Sequence, residues 1–281
     1  MMKYVFFGTP RFAAIALERL IHAGFPPTAL VCNPDRPVGR KKTVMAPPTK
    51  QLLAERGIGA HVFQPEKLDA SFTTAIAKLQ PDLFIVAAYS AIIPKSILAI
   101  PRFGTIGIHP SLLPQYRGAS PIQTALLNGE EETGVAVYVM DEKMDHGPVL
   151  AEERWPIAEN EQYPQLEEEL ALLGAALAAK LLPDIERGAA VPRAQNEADA
   201  TYTRKFTTQD GFVDETDLIA AERGDKEKAQ RIIRTVNAFT PEPGAWTIRD
   251  GKRLKLLRTT MKDGCLVLGA TQREGERPKA H

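Results

Sequence analysis

A histidine closes an apolar run and a proline follows it at once, in Thr105-Ile106-Gly107-Ile108-His109-Pro110-Ser111-Leu112-Leu113-Pro114-Gln115-Tyr116-Arg117-Gly118-Ala119-Ser120-Pro121-Ile122-Gln123. An imidazole takes up and returns protons near neutral pH. Held at a strand end by a proline-fixed turn, it sits where α/β folds keep their reacting groups. Taken alone, such a histidine equally well caps a strand with both nitrogens satisfied. A second cluster is cationic: Arg36, Arg40, Lys41 and Lys42 lie between Pro34 and Pro47, with Gly39 among them to allow movement. That chemistry suits a phosphate backbone, although the same run also describes a solvated surface loop. A third group, Arg249, Lys252, Arg253, Lys255, Arg258 and Lys262, faces chiefly Asp250 and Asp263. On a strand, Arg253 and Lys255 share a face, as a phosphate-tracking groove requires. Phe7-Gly8-Thr9-Pro10 joins a strand to a helix and turns backbone amides toward a ligand at the helix N-terminus. The dinucleotide fingerprint G-x-G-x-x-G is absent, so a nicotinamide cofactor is not supported.

These groups need a scaffold, and the first two-thirds of the chain alternates strand-like with helix-like segments. Strands are expected at 4–7, 28–32, 61–63, 82–88, 105–109, 134–140 and 148–153. Helices are expected at 11–23, 50–56, 71–78, 121–127 and 166–186. The run Asp82-Leu83-Phe84-Ile85-Val86-Ala87-Ala88 is the strongest buried-strand signal. Repeated strand–helix units predict a doubly wound, mainly parallel α/β sheet of Rossmann-like type, with ligands at the carboxyl ends of its strands. Residues 190–204 mix Pro, Asn, Asp and small side chains and read as a linker. Beyond it a helix at 226–236 precedes strands at 244–248, 253–258 and 265–268, separated by turns at Asp250-Gly251 and Asp263-Gly264. The expected division is therefore 1–189, a linker at 190–204, and a small β-rich domain at 205–281.

Composition sets the outer limits. The 281 residues carry 35 basic and 35 acidic side chains, so any polyanion must be held by local patches. Cys32 and Cys265 stand far apart in no metal-ligand spacing, which predicts reduced thiols in a cytoplasmic protein and no metal. The apolar start at Val5-Phe6-Phe7 meets Gly8 and Pro10 too soon for a signal-peptide core, and no apolar run reaches membrane-spanning length.

Residues 107–123 closely resemble the His-x-Ser-Leu-Leu-Pro segment, with its later glycine, of the tetrahydrofolate-dependent formyltransferase family. Other segments agree. Phe6 to Ala13 looks like the family's opening Gly-Thr-Pro-x-Phe-Ala. Pro34-Asp35-Arg36-Pro37-Val38-Gly39-Arg40 resembles the Pro-Asp-Arg-Pro-x-Gly-Arg loop of members acting on methionyl-tRNA. Ala87 to Pro94 is similar to the folate-pocket loop, Glu132 to Gly147 to the segment holding the catalytic aspartate, and Asn237 to Trp246 to the start of the C-terminal domain. The likeness runs from Met1 to about Leu268. It implies transfer of a formyl group from 10-formyltetrahydrofolate, as cosubstrate, to the amino group of methionine on charged initiator tRNA, for translation initiation, by a monomer.

By position, His109 and Asp145 match the family's catalytic His and Asp, and Gly107 stands where its Asn is expected. Tyr89, Ser90, Ile93, Ser111, Leu112, Leu113, Pro114 and Asp141 match folate-binding positions. Arg36, Arg40, Lys41 and Lys42 lie in the loop that the resemblance assigns to tRNA, and the basic residues Lys252, Arg253 and Lys255 are read from their charge as a second tRNA-binding patch. The resemblance also implies a five-stranded oligonucleotide-type barrel near the C-terminus, trimmed here to three evident strands. Gly107 is the serious departure, because glycine has no side-chain donor for a formyl oxyanion. A water or a nearby hydroxyl such as that of Ser111 fills the vacated space, or turnover is slow, or the chain binds folate and RNA without turnover. Formyl transfer to an amino-sugar nucleotide or a purine precursor is a further alternative, although it needs neither the 36–42 loop nor a Trp246-bearing C-terminal segment.

Overall fold

The computed structural model describes residues 2–39 and 42–281. Four segments, Tyr4–Phe7, Ala29–Val31, Leu83–Ala87 and Thr105–His109, are buried along their whole length. A strand apolar on both faces needs cover on both sides, which parallel pairing with helical crossovers supplies. The four pair in parallel, with His61–Phe63 beyond Ala29–Val31. Glu132–Val139 then joins antiparallel to Thr105–His109, and Val149–Pro156 completes a seven-stranded sheet. The chain starts in the middle, runs outward to His61–Phe63, and returns past its first strand to Leu83–Ala87. The doubly wound, mainly parallel sheet expected from the sequence is thus present.

The order reverses between Tyr4–Phe7 and Leu83–Ala87, which is where such sheets take ligands. Their carboxyl ends lead into Gly8 and into Tyr89-Ser90. A Cβ on Gly8 would come within 2.7 Å of the Ala87 carbonyl oxygen, so only glycine lets the two strand ends approach so closely.

The chain divides into two compact units that interleave in sequence: Met1–Arg117, Gly134–Trp155 and Glu168–Thr201 in one, Gly118–Thr133, Pro156–Glu167 and Tyr202–His281 in the other. The first holds most of the sheet. In the second, Asp214 and Asp225 cap the helices Glu215–Glu222 and Lys226–Phe239 by accepting from the amides of Thr216 and Lys228. Ala229, Ile232, Val236 and Phe239 recur every three or four residues and form the buried stripe of the longer helix. Helix Pro121–Asn128 packs against it. An open antiparallel sheet, Ala245–Arg249, Lys252–Lys262, Cys265–Arg273 and Lys279–Ala280, lies over both capped helices. The sequence reading found its first three strands and missed the fourth, a pair of residues too short to carry a pattern.

Cys32 is fully buried, and burial pushes its thiol pKa up to about 11. Only a thiolate attacks a disulfide reagent. At pH 8 the native protein should therefore present no more than one reactive thiol to Ellman's reagent, that of half-buried Cys265, and a second only on denaturation. Rapid modification of Cys32 in the native state would contradict the packing of the central sheet.

Candidate active site

The register of one strand pair sets the site. Gly107 lies opposite Tyr138 and His109 opposite Ala136. Residues two apart on a strand, and residues directly opposite across a pair, share a face. His109 and Tyr138 are therefore diagonal neighbours on the same side of the sheet. His109 is 6% exposed. Its Nε2 lies 3.0 Å from the Tyr116 carbonyl oxygen and its Nδ1 3.6 Å from Oδ2 of Asp145. A carbonyl only accepts, so Nε2 carries the hydrogen and donates it, leaving the Nδ1 lone pair turned toward the carboxylate. A proton arriving at Nδ1 is met at once by a negative charge.

Asp145 is placed by a tight return of the chain. Its own φ is +49°, and a Cβ on Gly147 would sit 1.8 Å from the Val139 carbonyl oxygen, so glycine alone closes this loop. The Tyr138 hydroxyl donates to Oδ1 of Asp145 at 2.7 Å. Nε2 of Gln195 donates to the backbone oxygens of Asp145 and Gly147, at 2.9 and 2.7 Å. Arg117, wholly buried, donates in turn to Oε1 of Gln195 and to both carboxylate oxygens of Glu197. Its hydrogen bond holds the Glu197 carboxyl below the usual range. Nδ1 of His146 stands 2.6 Å from Oδ2 of Asp141, with Nε2 3.5 Å from Glu197.

His109 and Asp145, distant in sequence, are thus brought together. The sequence reading missed Tyr138, Gln195, Glu197 and His146, and gave Arg117 no role although it lies in the informative segment. Gln195 and Glu197 fall in the stretch read as a linker. The signal available was Gln195 and Glu197 beside a buried arginine, and only the tertiary pairing reveals it. The space beside Gly107 needs a correction. Ser111 does not fill it, because its hydroxyl is spent on the Gln115 carbonyl at 2.6 Å. The ring of Tyr138 does: a Cβ at 107 would meet its Cε1 at 2.5 Å and its hydroxyl at 2.9 Å.

Tyr89 and Ser90 follow the carboxyl end of Leu83–Ala87 and Ser111–Pro114 that of Thr105–His109, whereas Asp141 follows the antiparallel Glu132–Val139, which ends beside Thr105. Tyr89 is half-buried, edge-on to Phe7 with ring centroids 5.5 Å apart, and burial raises its phenol above the ordinary range. The Ser90 hydroxyl accepts from Nδ2 of Asn33, whose own amide donates to the Thr9 hydroxyl. Ile93 is buried in the core cluster that includes Phe7 and Val31. Ser111 and Leu113 are buried, Leu112 and Pro114 half-buried, and Asp141 accepts from the Lys143 amide. Of these residues, Tyr89 and Ser90 stand at the order reversal, where sheets of this kind take ligands.

Arg36–Val38 and Thr43–Met45 form a small antiparallel hairpin. The segment expected to be a plain loop thus carries two short strands. Arg36 is exposed and pairs with Glu66 at 2.6 Å, and Lys42 is exposed with φ +48°. Arg40 and Lys41 lie outside the described residues. In the second unit, Leu254 and Leu256 point inward, so Arg253 and Lys255 share the other face, as the alternation implied. Arg253 stacks over the Trp246 ring at 4.1 Å, and Lys252 sits exposed at the hairpin end on the alternate face.

Residues 2–182 match the formyl transferase family and residues 226–275 match the formyl transferase C-terminal domain. A methionyl-tRNA formyltransferase of Halorhodospira halophila is 42% identical over 243 residues, covering 86% of this chain and 74% of that protein. A solved methionyl-tRNA formyltransferase from Clostridium thermocellum aligns with TM-score 0.61 at 16% identity, over 98% of this chain and 99% of its own. HypX from Aquifex aeolicus in complex with tetrahydrofolic acid aligns with TM-score 0.64 at 19% identity, over 99% of this chain and 46% of its own. At these identities the two structures speak to the fold alone.

Proposed function

This chain belongs to the formyl transferase family, and we propose that it transfers a formyl group from 10-formyltetrahydrofolate to the amino group of methionine on charged initiator tRNA. The observation that carries the chemistry is the pair His109 Nδ1 and Asp145 Oδ2, 3.6 Å apart over one face of the sheet. Attack of an amine on the formyl carbon forms a carbon–nitrogen bond and a tetrahedral oxyanion. The amine must shed a proton, and the folate nitrogen must gain one as its bond to carbon breaks. His109 accepts the first at Nδ1, where Asp145 steadies the imidazolium, and returns it to the leaving nitrogen. Tyr89, Ser90, Ile93, Asp141 and the segment Ser111–Pro114 hold the folate. Functionally, residues 1–189 carry the transfer, 205–281 bind tRNA, and 190–204 join them, docked through Gln195. The enzyme acts in the cytoplasm as a monomer.

Methionyl-tRNA is favoured over other amines by the name of the 42%-identical relative and by the cations at Arg36, Arg40, Lys41 and Lys42, with Lys252, Arg253 and Lys255 in the second unit. The test is formylation of charged initiator tRNA beside a nucleotide-linked amino sugar. Formylated methionyl-tRNA is expected, and exclusive use of the sugar overturns the reading. In the same assay, the triple change Arg40→Ala, Lys41→Ala and Lys42→Ala should raise KM for tRNA at least tenfold and leave KM for folate within about twofold. The effect should shrink as salt rises, because phosphate contacts are screened. Unaltered tRNA kinetics across salt would remove the hairpin from substrate binding.

A further inference from the structure

We propose that Tyr138, admitted by the missing side chain at Gly107, is the positioning residue that aims Asp145 at His109, in a pair where the two positions are exchangeable only together. The inference deepens the reading of the site just given and rests on it. The Asp145 side chain is 16% exposed and its backbone has positive φ. The Tyr138 hydroxyl donates to Oδ1 at 2.7 Å and so leaves Oδ2 toward the imidazole.

Three observations make the phenol fit for this work. It is 3% exposed, packed with Leu113, Ala136 and Val149, so its ring cannot swing away. Burial first, and the neighbouring Asp145 second, hold its pKa well above the ordinary phenol range, so it always carries a proton to donate. And the ring lies where any side chain at 107 would begin: Cε1 is 2.5 Å and Cζ 2.7 Å from an ideal Cβ there. A tyrosine at 138 and a side chain at 107 exclude one another. Gly107 is therefore not a vacancy in the site but the condition for a donor supplied from the next strand.

Gly107→Asn alone should collide with the ring and cut kcat. Tyr138→Ala alone should cut it as well. The double variant should recover to above either single, because an amide then occupies the cleared space and can donate to the carboxylate. Gly107→Leu with Tyr138→Ala fills the same space without a donor and should not recover.

Tyr138→Phe isolates the hydroxyl while keeping the ring. Its kcat with saturating formyl donor and charged tRNA should fall about 10- to 100-fold, with both KM values within about twofold, as expected for loss of one hydrogen bond to a charged group. A second readout needs no turnover. The ¹⁵N resonances of the His109 ring in the free protein should move on Tyr138→Phe, because the charge facing Nδ1 is no longer held. Undiminished kcat in the phenylalanine variant, or His109 resonances identical to the wild type, overturns the proposal. Should the wild type formylate no amine, the reading of the reaction fails and the resonances still decide the role of Tyr138.

Discussion

His109→Ala is expected to lower kcat by about 10²–10⁴-fold, the range for loss of a positioned acid–base group, and Asp145→Ala to follow closely. The double variant should be little worse than the more damaged single. The two act as one unit: Asp145 matters because it meets the proton that His109 holds, and with the imidazole gone there is nothing for it to steady. The fold should survive both changes. The Thr105–His109 ladder is made of backbone bonds on either side, and the lost ring gives up one hydrogen bond to the Tyr116 carbonyl. Unchanged secondary structure with turnover reduced in all three variants fits this account. Multiplied losses in the double variant would mean two independent roles and would separate the pair.

Arg117→Ala is expected to lower both stability and turnover. The guanidinium is wholly buried and its donors fasten Gln195 and Glu197. Removing it leaves a cavity and strands Oε1 of Gln195, at a cost of about 2–4 kcal/mol. For a chain of this size that corresponds to a Tm lower by roughly 5–15 °C. Turnover should suffer even at temperatures where the variant is folded, because Gln195 holds the backbone oxygens of Asp145 and Gly147. Arg117→Lys is the sharper test. It keeps the charge but has no rigid fork to reach two partners at once, so it should recover little of either loss. A lysine variant with the stability and kcat of the wild type would show that charge alone matters at this position.

Much of this protein was determined locally and so was legible in its sequence. Leu83-Phe84-Ile85-Val86-Ala87 is apolar at every position, which only a strand covered on both faces tolerates, and the parallel sheet follows from several such runs. Apolar spacing marked the helices at 11–23 and 226–236. His109 stood out because a strand end and a proline turn are near neighbours along the chain. The strand Lys279–Ala280 was not legible because two residues carry no period, and the hairpin Arg36–Val38 with Thr43–Met45 was not because Thr43–Met45 is exposed at every position and has no buried face to pattern.

What only the tertiary structure decided are the partnerships. Gly107 meets Tyr138 through an antiparallel register joining residues 31 apart in sequence, and a slip of one residue would have turned that phenol to the other face. Gln195 reaches Asp145 from a stretch whose composition describes a linker, because side-chain hydrogen bonds to distant backbone leave no periodic trace. Local patterns record which side of an element is buried. They do not record which residue lies opposite, because that is set by the pairing of whole strands. For this reason a glycine that reads as a missing donor along the chain is, in the fold, the room that the ring of Tyr138 occupies.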